Sequence, residues 1–375
     1  MPREQHVPGD ALVSGRRIDP ARLARLRARA QLLDRPAGLR DPAEVARSMA
    51  GAQAQEKRAG LLQFRSRNRA LTAAGVEHAR VEERSLTRGW LMRGTVHLVP
   101  TEDYRWMLPL FAGPIASESR RRLGQLGIET RAQERALAAI ARSLEDEGAL
   151  TRTSIVDRLR RRRIELTPET RVHLMRVVVA EAVACIGPDE GGSGTLVLSR
   201  DWLGAGEGRD REASLGELAR RYLGAFAPAT ERDFAKWSGL SLRDCRAGLE
   251  RIAGELRHLG DGLIALGGYT LRAPRSPLVR LLPAFDTYLM GYESRRHAVS
   301  EDGARRILPG GGVLRPTICV DGRFVALWSS KRSGRRLDIA IEPLEEVPDA
   351  QLEAIAAEVE DIGRFERIDA RLRVP

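Results

Sequence analysis

The sequence contains few cysteines and no long apolar run. Its three cysteines, Cys185, Cys245 and Cys319, are widely spaced among 375 residues. An odd and scattered set excludes a disulfide framework and a CxxC metal knuckle, and it predicts buried thiols. The longest apolar stretch, residues 177–186, is interrupted by Glu181 and is too short for the roughly 20 residues of a membrane span. Because no apolar segment near the N-terminus would direct secretion, we expect a cytoplasmic protein that does not enter membranes.

Lysine is nearly absent as well. Only three lysines, Lys57, Lys236 and Lys331, occur among 62 basic residues, so we set aside enzymes that form a Schiff base on lysine. The six histidines show no HExxH or comparable ligand spacing, and we expect no metal site. No Gly-Lys pair exists, which excludes a Walker A loop, and residues 204–208 are predicted to form a loop rather than a dinucleotide-binding turn. We therefore expect no cofactor.

What the chain has instead is arginine-rich positive charge, with a formal net charge of +11. Residues 1–100 carry 19 basic and 10 acidic side chains, and residues 291–340 carry 10 and 5. Clustered arginine is typical of polyanion binders, because each neutralised phosphate releases condensed counterions. On charge alone, a solvated arginine-rich surface accounts for the pattern equally well.

A unit made of a helix, two further short helices and a β-hairpin recurs three times. In the first copy, helices over 21–33, from Pro42 and over 57–67 precede a hairpin over 90–99 that bends at Gly94. In the second copy, a helix over 131–147, a capping box from Ser154 to Asp157 and a helix over 167–184 precede a hairpin over 185–199.

The third copy has a helix over 215–226, a capping box from Thr230 to Asp233, a turn at Gly239 and two short strands near residues 260 and 267. A helix-turn-helix followed by a β-hairpin is a winged helix. The pattern therefore predicts an α+β fold with winged helices at residues 1–100, 101–200 and 201–280.

Residues 281–375 have a different pattern of short strands. Turns are predicted at residues 310–312 and at Asp321-Gly322, the latter a strong type I′ hairpin signal. A helix is predicted over residues 348–362. We expect a small β-rich C-terminal domain.

Two glutamines, Gln53 and Gln55, follow the predicted end of the helix that begins at Pro42. On a continuous helix, residues two apart point about 200° away from each other and could not serve one site. If the helix stops at Gly51, an extended backbone would place both amides on the same side. Taken alone, the pair is better explained by one exposed and one capping glutamine.

Four segments together resemble the AlkZ-like winged-helix DNA glycosylases. They are Gln53-x-Gln55, LMRGTVHL at residues 91–98, FAKWSGL at 234–240 and LPAFDTYLMGY at 282–292. The resemblance keeps the family's order from about residue 23 to residue 341. It implies a C-shaped body of tandem winged helices with a small C-terminal β-barrel-like domain, whose concave basic face holds double-stranded DNA.

The resemblance also implies that Gln53 and Gln55 are the catalytic pair, acting on alkylated purines and, in some members, on interstrand crosslinks. Other members carry Q-x-D, where this chain has Gln55. A purine alkylated at N7 or N3 is already cationic, so its glycosidic bond is weak and its base leaves without protonation. The enzyme has only to hold a water and favour an oxocarbenium-like centre, which amide oxygens can do modestly.

Several basic residues are candidate DNA contacts. Arg93 and His97 flank Gly94 in the first hairpin and could border a cleft, although a structural salt bridge for Arg93 and a buried, satisfied His97 are the alternatives. Two further groups are placed near predicted strand ends, as phosphate contacts or groove-probing hairpins are, or else on a solvated face: Arg295, Arg296, His297, and Lys331, Arg332. The five tryptophans are assigned to the core.

The sequence thus predicts a monofunctional DNA glycosylase that removes N-alkylpurines from double-stranded DNA and acts near the nucleoid. The main alternative is a non-enzymatic winged-helix transcriptional regulator, and the second is a scaffold for a protein partner. A regulator is normally a dimer on a pseudo-palindrome, whereas three different winged helices in one chain suit a monomer.

Overall fold

A computed structural model describes residues 18–39, 41–204 and 209–373. The helices are α1 (Pro20–Ala30), α2 (Pro42–Ser48), α3 (Lys57–Arg67), α4 (Ala73–Val81), α5 (Thr101–Gln125), α6 (Thr130–Glu147), α7 (Arg152–Arg161), α8 (Pro168–Ala180), α9 (Ser199–Leu203), α10 (Arg211–Phe226), α11 (Glu231–Ser238), α12 (Leu242–Arg251), α13 (Thr287–Met290), α14 (Glu301–Ile307) and α15 (Asp349–Glu366). The strands are β1 (Ala52–Gln53), β2 (Leu86–Trp90), β3 (Val96–Pro100), β4 (Leu150–Thr151), β5 (Ala184–Glu190), β6 (Ser193–Leu198), β7 (Leu256–His258), β8 (Ile264–Leu266), β9 (Val279–Leu282), β10 (Thr317–Val320), β11 (Arg323–Ser333), β12 (Arg336–Pro343) and β13 (Asp369–Arg373).

Side-chain caps begin most of the predicted helices. Asp41 caps α2 ahead of a proline, and Thr230 forms a capping box with Asp233 on α11, both as predicted. The predicted capping box at Ser154 is wrong, because Thr151 caps α7 and Ser154 lies inside the helix. The helix predicted to reach residue 184 is α8, which ends at Ala180.

Helix α5 is the largest element that the sequence pattern did not predict. It runs for 25 residues through Pro109 and Pro114, residues that usually end or kink a helix. Its buried side chains, among them Trp106 and Phe111, face the core, and the helix packs against α8. Tertiary packing of an apolar face therefore stabilises a helix that local propensity disfavours.

The hairpins predicted as the first two wings form one six-stranded sheet, in the order β1-β3-β2-β5-β6-β4. The two hairpins meet where Arg88 of β2 pairs with Ile186 of β5. Strands from both sides of residue 100, the predicted boundary between the first two winged helices, therefore belong to one sheet. The domain boundary itself stays a prediction. In the third repeat, β7 and β8 pair with each other, and Gly239 ends α11 in the left-handed conformation.

The C-terminal domain contains a five-stranded sheet in the order β13-β12-β11-β10-β9. Asp321 and Gly322 both have positive φ and join β10 to β11, which confirms the type I′ turn. Within the described chain the edge strands β9 and β13 do not pair with each other, so the sheet is an open half-barrel and not a closed barrel. One core cluster joins this sheet and α15 to α3.

The predictions for the cysteines and for four of the five tryptophans are confirmed, and the prediction for the fifth tryptophan is wrong. All three cysteines are buried and free, and four tryptophans lie in the core, whereas Trp202 is half-buried beneath Arg84. The loop predicted at residues 204–208 falls, apart from Gly204, outside the described residues. Among the described residues, no helix has the length and apolarity to cross a bilayer.

Candidate active site

The chain turns sharply between α2 and β1, immediately before the two glutamines. Ala50 and Gly51 have φ of 57° and 90°, a left-handed pair that glycine accommodates readily. A Cβ on Gly51 would lie 2.8 Å from Cγ1 of Val99, so glycine is also required by close packing against β3. Helix α2 ends at Ser48, three residues before Gly51, so the predicted stop ahead of the two glutamines is confirmed.

Strand β1 then runs antiparallel to β3 at the edge of the six-stranded sheet. Ala52 and Ala54 are fully buried in the core shared with α3. Because successive side chains on extended backbone alternate between faces, Gln53 points away from the face that Ala52 and Ala54 bury, and Gln55 lies in the bend that follows β1. Gln53 is 4% exposed, whereas Gln55 is exposed.

Both glutamine side chains are held by the segment that leads into β3. Oε1 of Gln53 accepts a hydrogen bond of 2.8 Å from Nη2 of Arg93, and Oε1 of Gln55 accepts one of 3.2 Å from the Val96 N–H. A guanidinium and a backbone N–H can only donate, so the atom facing each of them must be the amide oxygen. Each oxygen keeps a second lone pair, and the structure brings the two amides together at one turn.

Arg93 is the central residue of that turn. It adopts a left-handed conformation, with φ 55° and ψ 18°, in the 3-10 turn Met92–Gly94. Its Nη1 donates to the backbone carbonyl of Trp237. Burial, and then the charge of Arg295, lower the pKa of Arg93 to about 10, so it remains a cation at neutral pH. Its side-chain acceptors within the described chain are neutral, and the salt bridge considered as an alternative is not formed.

His97 lies beneath this turn rather than at a cleft border. It pairs with Gln53 across the two strands, is 2% exposed, and its Nδ1 lies 3.0 Å from the Thr95 carbonyl oxygen. Burial, and then the charge of Arg93, lower the pKa of His97 to about 3. The imidazole is therefore neutral and satisfied, as in the alternative considered for it.

Residues 295–297 occupy the loop between α13 and α14, not the end of a strand as predicted. Arg295 is half-buried, with its Nε donating to the Leu289 carbonyl at 2.9 Å, and Arg296 is exposed and paired with Glu301. His297 is buried, with Nδ1 2.9 Å from Nη1 of Arg27. Its imidazole offers no surface to a phosphate in this conformation.

Lys331 and Arg332 lie at the end of β11, in the hairpin that β11 forms with β12, as predicted. Both side chains are exposed. The hairpin turns at Gly334, whose carbonyl accepts a hydrogen bond of 3.2 Å from Nε of Arg332. This tip presents positive charge to solvent.

A buried polar network behind Gln53 was not predicted. Nε2 of Gln63 donates to the main-chain oxygen of Gln53 at 2.7 Å, and Oε1 of Gln63 accepts from the Thr287 N–H at 3.1 Å. Arg67 donates to both carboxylate oxygens of Asp286 at 2.9 Å. A signal was present, because Gln63 and Arg67 lie four residues apart on one face of the predicted helix and Asp286 lies within the LPAFDTYLMGY segment.

A cleft of about 270 Å³ opens beside Arg93 and Gly94, walled by Phe111, Ile115 and Leu240 among others. Arg176 and Glu118 form an ion pair of 3.0 Å in its lining. Among the described residues, no cluster of three or more His, Cys, Asp or Glu side chains is placed to hold a metal ion. The chemistry available at the turn is therefore that of two oriented amides beside a guanidinium.

Comparison with known proteins agrees with this fold. Residues 46–365 match the family described as DNA glycosylase AlkZ-like. A curated relative named "Interstrand DNA cross-link repair glycosylase", from Streptomyces sahachiroi, is 25% identical over 307 residues, which cover 76% of this chain and 80% of the relative. The solved structure of Streptomyces sahachiroi DNA glycosylase AlkZ aligns with a TM-score of 0.78 at 24% identity, covering 95% of this chain and 99% of that one. The chain belongs to the AlkZ-like family of DNA glycosylases.

Proposed function

We propose that this enzyme hydrolyses the N-glycosidic bond of cationic purines alkylated at N7 or N3 in double-stranded DNA. The observation that carries the proposal is the pair of amides of Gln53 and Gln55, which are both hydrogen-bonded to the segment from Arg93 to Val96. Since a relative is named as a glycosylase of interstrand crosslink repair, we extend the proposed substrates to crosslinked purines.

The amide pair suits a substrate that is already activated. The positive charge of an N7- or N3-alkylpurine weakens the bond to the sugar, and the base departs as a neutral molecule. The protein must then orient a water toward the anomeric carbon and favour positive charge at the sugar, tasks that positioned dipoles perform. Neutral amides are too weak to activate an undamaged nucleotide, which gives selectivity without a tight pocket.

The two glutamines have different surroundings and therefore different proposed roles. Gln55 is exposed, so its remaining oxygen lone pair can accept a hydrogen bond from the attacking water. Gln53 is buried beneath Arg93, so its amide would act as a fixed dipole toward the sugar. We propose monofunctional hydrolysis, because Lys57, the lysine nearest to the glutamines in sequence, is held in ion pairs with Glu77 and Asp189 instead of being available to form an imine with the sugar.

DNA binding is proposed to use the exposed and half-buried cations near this site and at the β11–β12 hairpin: Arg93, Arg295, Arg296, Lys331, Arg332. Neither Lys331 nor Arg332 forms an ion pair within the described chain, so both are available to phosphates. We further propose that the repeated units act as tandem winged helices around a concave DNA-binding face, in a monomer. The two buried histidines, His97 and His297, are left out of the proposed DNA contacts.

The test is excision from a duplex that carries one N7-methylguanine. Gln53→Ala and Gln55→Ala should each lower the single-turnover excision rate by about 100-fold, the size of effect seen when one preorganised dipole is removed. Binding to undamaged duplex should change by less than about twofold, because neither side chain carries charge. Gln125→Ala, at the exposed end of α5, is the matched control and should keep the wild-type rate.

Two outcomes would contradict this assignment. If both glutamine variants retain the wild-type excision rate, the catalytic pair lies elsewhere. If the wild-type protein releases no base from methylated or crosslinked duplex but binds both with a steep salt dependence, the chain acts as a DNA-binding regulator.

A further inference from the structure

We propose that Arg93 is a positioning residue, whose guanidinium fixes the Gln53 amide by bridging it to the C-terminus of α11. This inference rests on the proposed catalytic role of Gln53. It assigns Arg93 a task beyond attracting phosphate, and it gives the third helical unit a direct part in building the active site.

The bridge joins two neutral acceptors that are distant in sequence. Nη2 donates to Oε1 of Gln53 at 2.8 Å, and Nη1 donates to the carbonyl of Trp237, 144 residues further along. Trp237 lies in the last turn of α11, where carbonyls lack partners within the helix and the helix dipole favours a cation. A planar guanidinium can satisfy two such acceptors at once, whereas an ammonium has no rigid fork.

The consequence for Gln53 is a single amide orientation. The terminal torsion of a glutamine is broad and roughly two-fold, so without a partner its oxygen and nitrogen exchange places easily. Arg93 has no acceptor atom, and only the oxygen can face it. The Nε2 group and the remaining lone pair of Oε1 are thereby held in fixed directions relative to the sheet.

The backbone supports the same conclusion. Arg93 has φ of 55°, a left-handed conformation that is strained for a residue with a side chain. Glycine would be the least strained residue there, so the arginine side chain must supply something that glycine cannot. Gly239 packs directly against it, since a Cβ on Gly239 would lie 3.1 Å from Cα of Arg93.

The decisive experiment separates charge from geometry. Arg93→Lys keeps the positive charge for phosphate but loses the fork that bridges Gln53 and Trp237. We expect its binding to undamaged duplex to stay within about twofold, while the single-turnover excision rate at saturating enzyme falls by about tenfold or more, since small misplacements of a catalytic group are costly. Arg305→Lys is the matched control, because this exposed arginine pairs with Asp302 on its own helix, and it should keep the wild-type rate.

A double variant shows whether Arg93 acts through Gln53. Once Gln53→Ala has removed the amide, adding Arg93→Lys should lower the excision rate by less than about twofold more, because residues that act as a unit are not additive. A full further tenfold loss would overturn the proposal and indicate general damage to the fold. Retention of the wild-type rate by Arg93→Lys would overturn it too, leaving Arg93 as a phosphate contact.

These outcomes are distinguishable from failure of the proposed function. If Gln53→Ala is fully active, the catalytic pair is wrong whatever Arg93 does. If Gln53→Ala is inactive and Arg93→Lys is normal, only the positioning role fails. Thermal unfolding of each variant controls for misfolding, and Arg93→Met provides a second variant that removes both the charge and the fork.

Discussion

Two pairs of arginines in this protein are buried to different degrees and have different partners. Arg65 and Arg67 of α3 are fully buried, and each faces carboxylates: Arg65 lies 2.8 Å from Glu358, and Arg67 lies 2.9 Å from Asp286. Arg93 and Arg295 are half-buried and donate to neutral oxygens, namely an amide and two backbone carbonyls. The first pair is neutralised within the fold and the second is not.

The difference separates structural arginines from those available to a ligand. A fully buried charge costs several kcal/mol unless it is paired, so Arg65 and Arg67 require their carboxylates. Arg93 and Arg295 remain partly in contact with water, which reduces that cost. The positive charge of Arg295 nevertheless repels that of Arg93 and contributes, after burial, to its lowered pKa. An approaching polyanion would relieve this repulsion, which is why we place the proposed DNA contacts there.

The largest effect on stability is expected when a buried arginine loses its carboxylate partner. Asp286→Ala leaves Arg67 buried without its carboxylate, and we expect the free energy of unfolding to fall by about 3–5 kcal/mol. Asp302→Ala, which removes an exposed helical pair with Arg305, should cost less than about 1 kcal/mol. Chemical denaturation of both variants measures the two values. Equal, small losses would show that burial of Arg67 does not depend on Asp286.

The next largest effect is the pH dependence of stability that His97 causes, since its pKa is lowered by burial and by the charge of Arg93. Its pKa of about 3 in the folded protein is below that of the unfolded chain, so the unfolded state takes up a proton first. Stability from this group is complete above about pH 6.5 and is lost as the pH falls toward 3. At pH 5 the loss is roughly 2 kcal/mol.

Denaturation at pH 7 and pH 5 measures this loss, and it should be smaller in His97→Gln than in the wild type. In Arg93→Met, the pKa of His97 should rise but stay below its usual value, because burial is the larger cause of the shift. Titration of the imidazole by NMR checks the direction. An unchanged pKa of His97 would mean that the charge of Arg93 is screened. Arg93 would then be less exposed as an unpaired charge than its neutral hydrogen-bond partners imply.

Local signals predicted the elements that carry the candidate site. Asp41 and Pro42 predicted where α2 begins, and Gly51 predicted a stop ahead of the glutamines, three residues beyond the actual end at Ser48. The shared face of Gln53 and Gln55 stays a prediction. The helix predicted over residues 57–67 has those bounds in the structure. Each of these features depends on neighbours within a few residues.

What sequence reasoning missed depends on contacts between distant segments. Arg88 pairs with Ile186 and thereby joins two hairpins that were predicted as separate wings. Asp286 faces Arg67 across 219 positions. His297 was grouped with Arg295 and Arg296 as a basic surface cluster, but it packs against Tyr292, and composition alone does not tell which side chain of such a run points inward.

The smallest expected effect extends the comparison to the exposed hairpin. Lys331 and Arg332 have no carboxylate partner within the described chain, whereas Arg371 on β13 pairs with Asp369 at 2.8 Å. If Arg332 contacts a phosphate, Arg332→Ala should reduce the slope of log affinity against log salt concentration by about 0.9, and Lys331→Ala should act similarly. Arg371→Ala should leave the slope unchanged, because its charge is already neutralised. Fluorescence anisotropy on an undamaged duplex at several salt concentrations measures each slope. If all three variants kept the wild-type slope, this hairpin would not face DNA. The unpaired cations that contact phosphates would then be limited to Arg93 and Arg295.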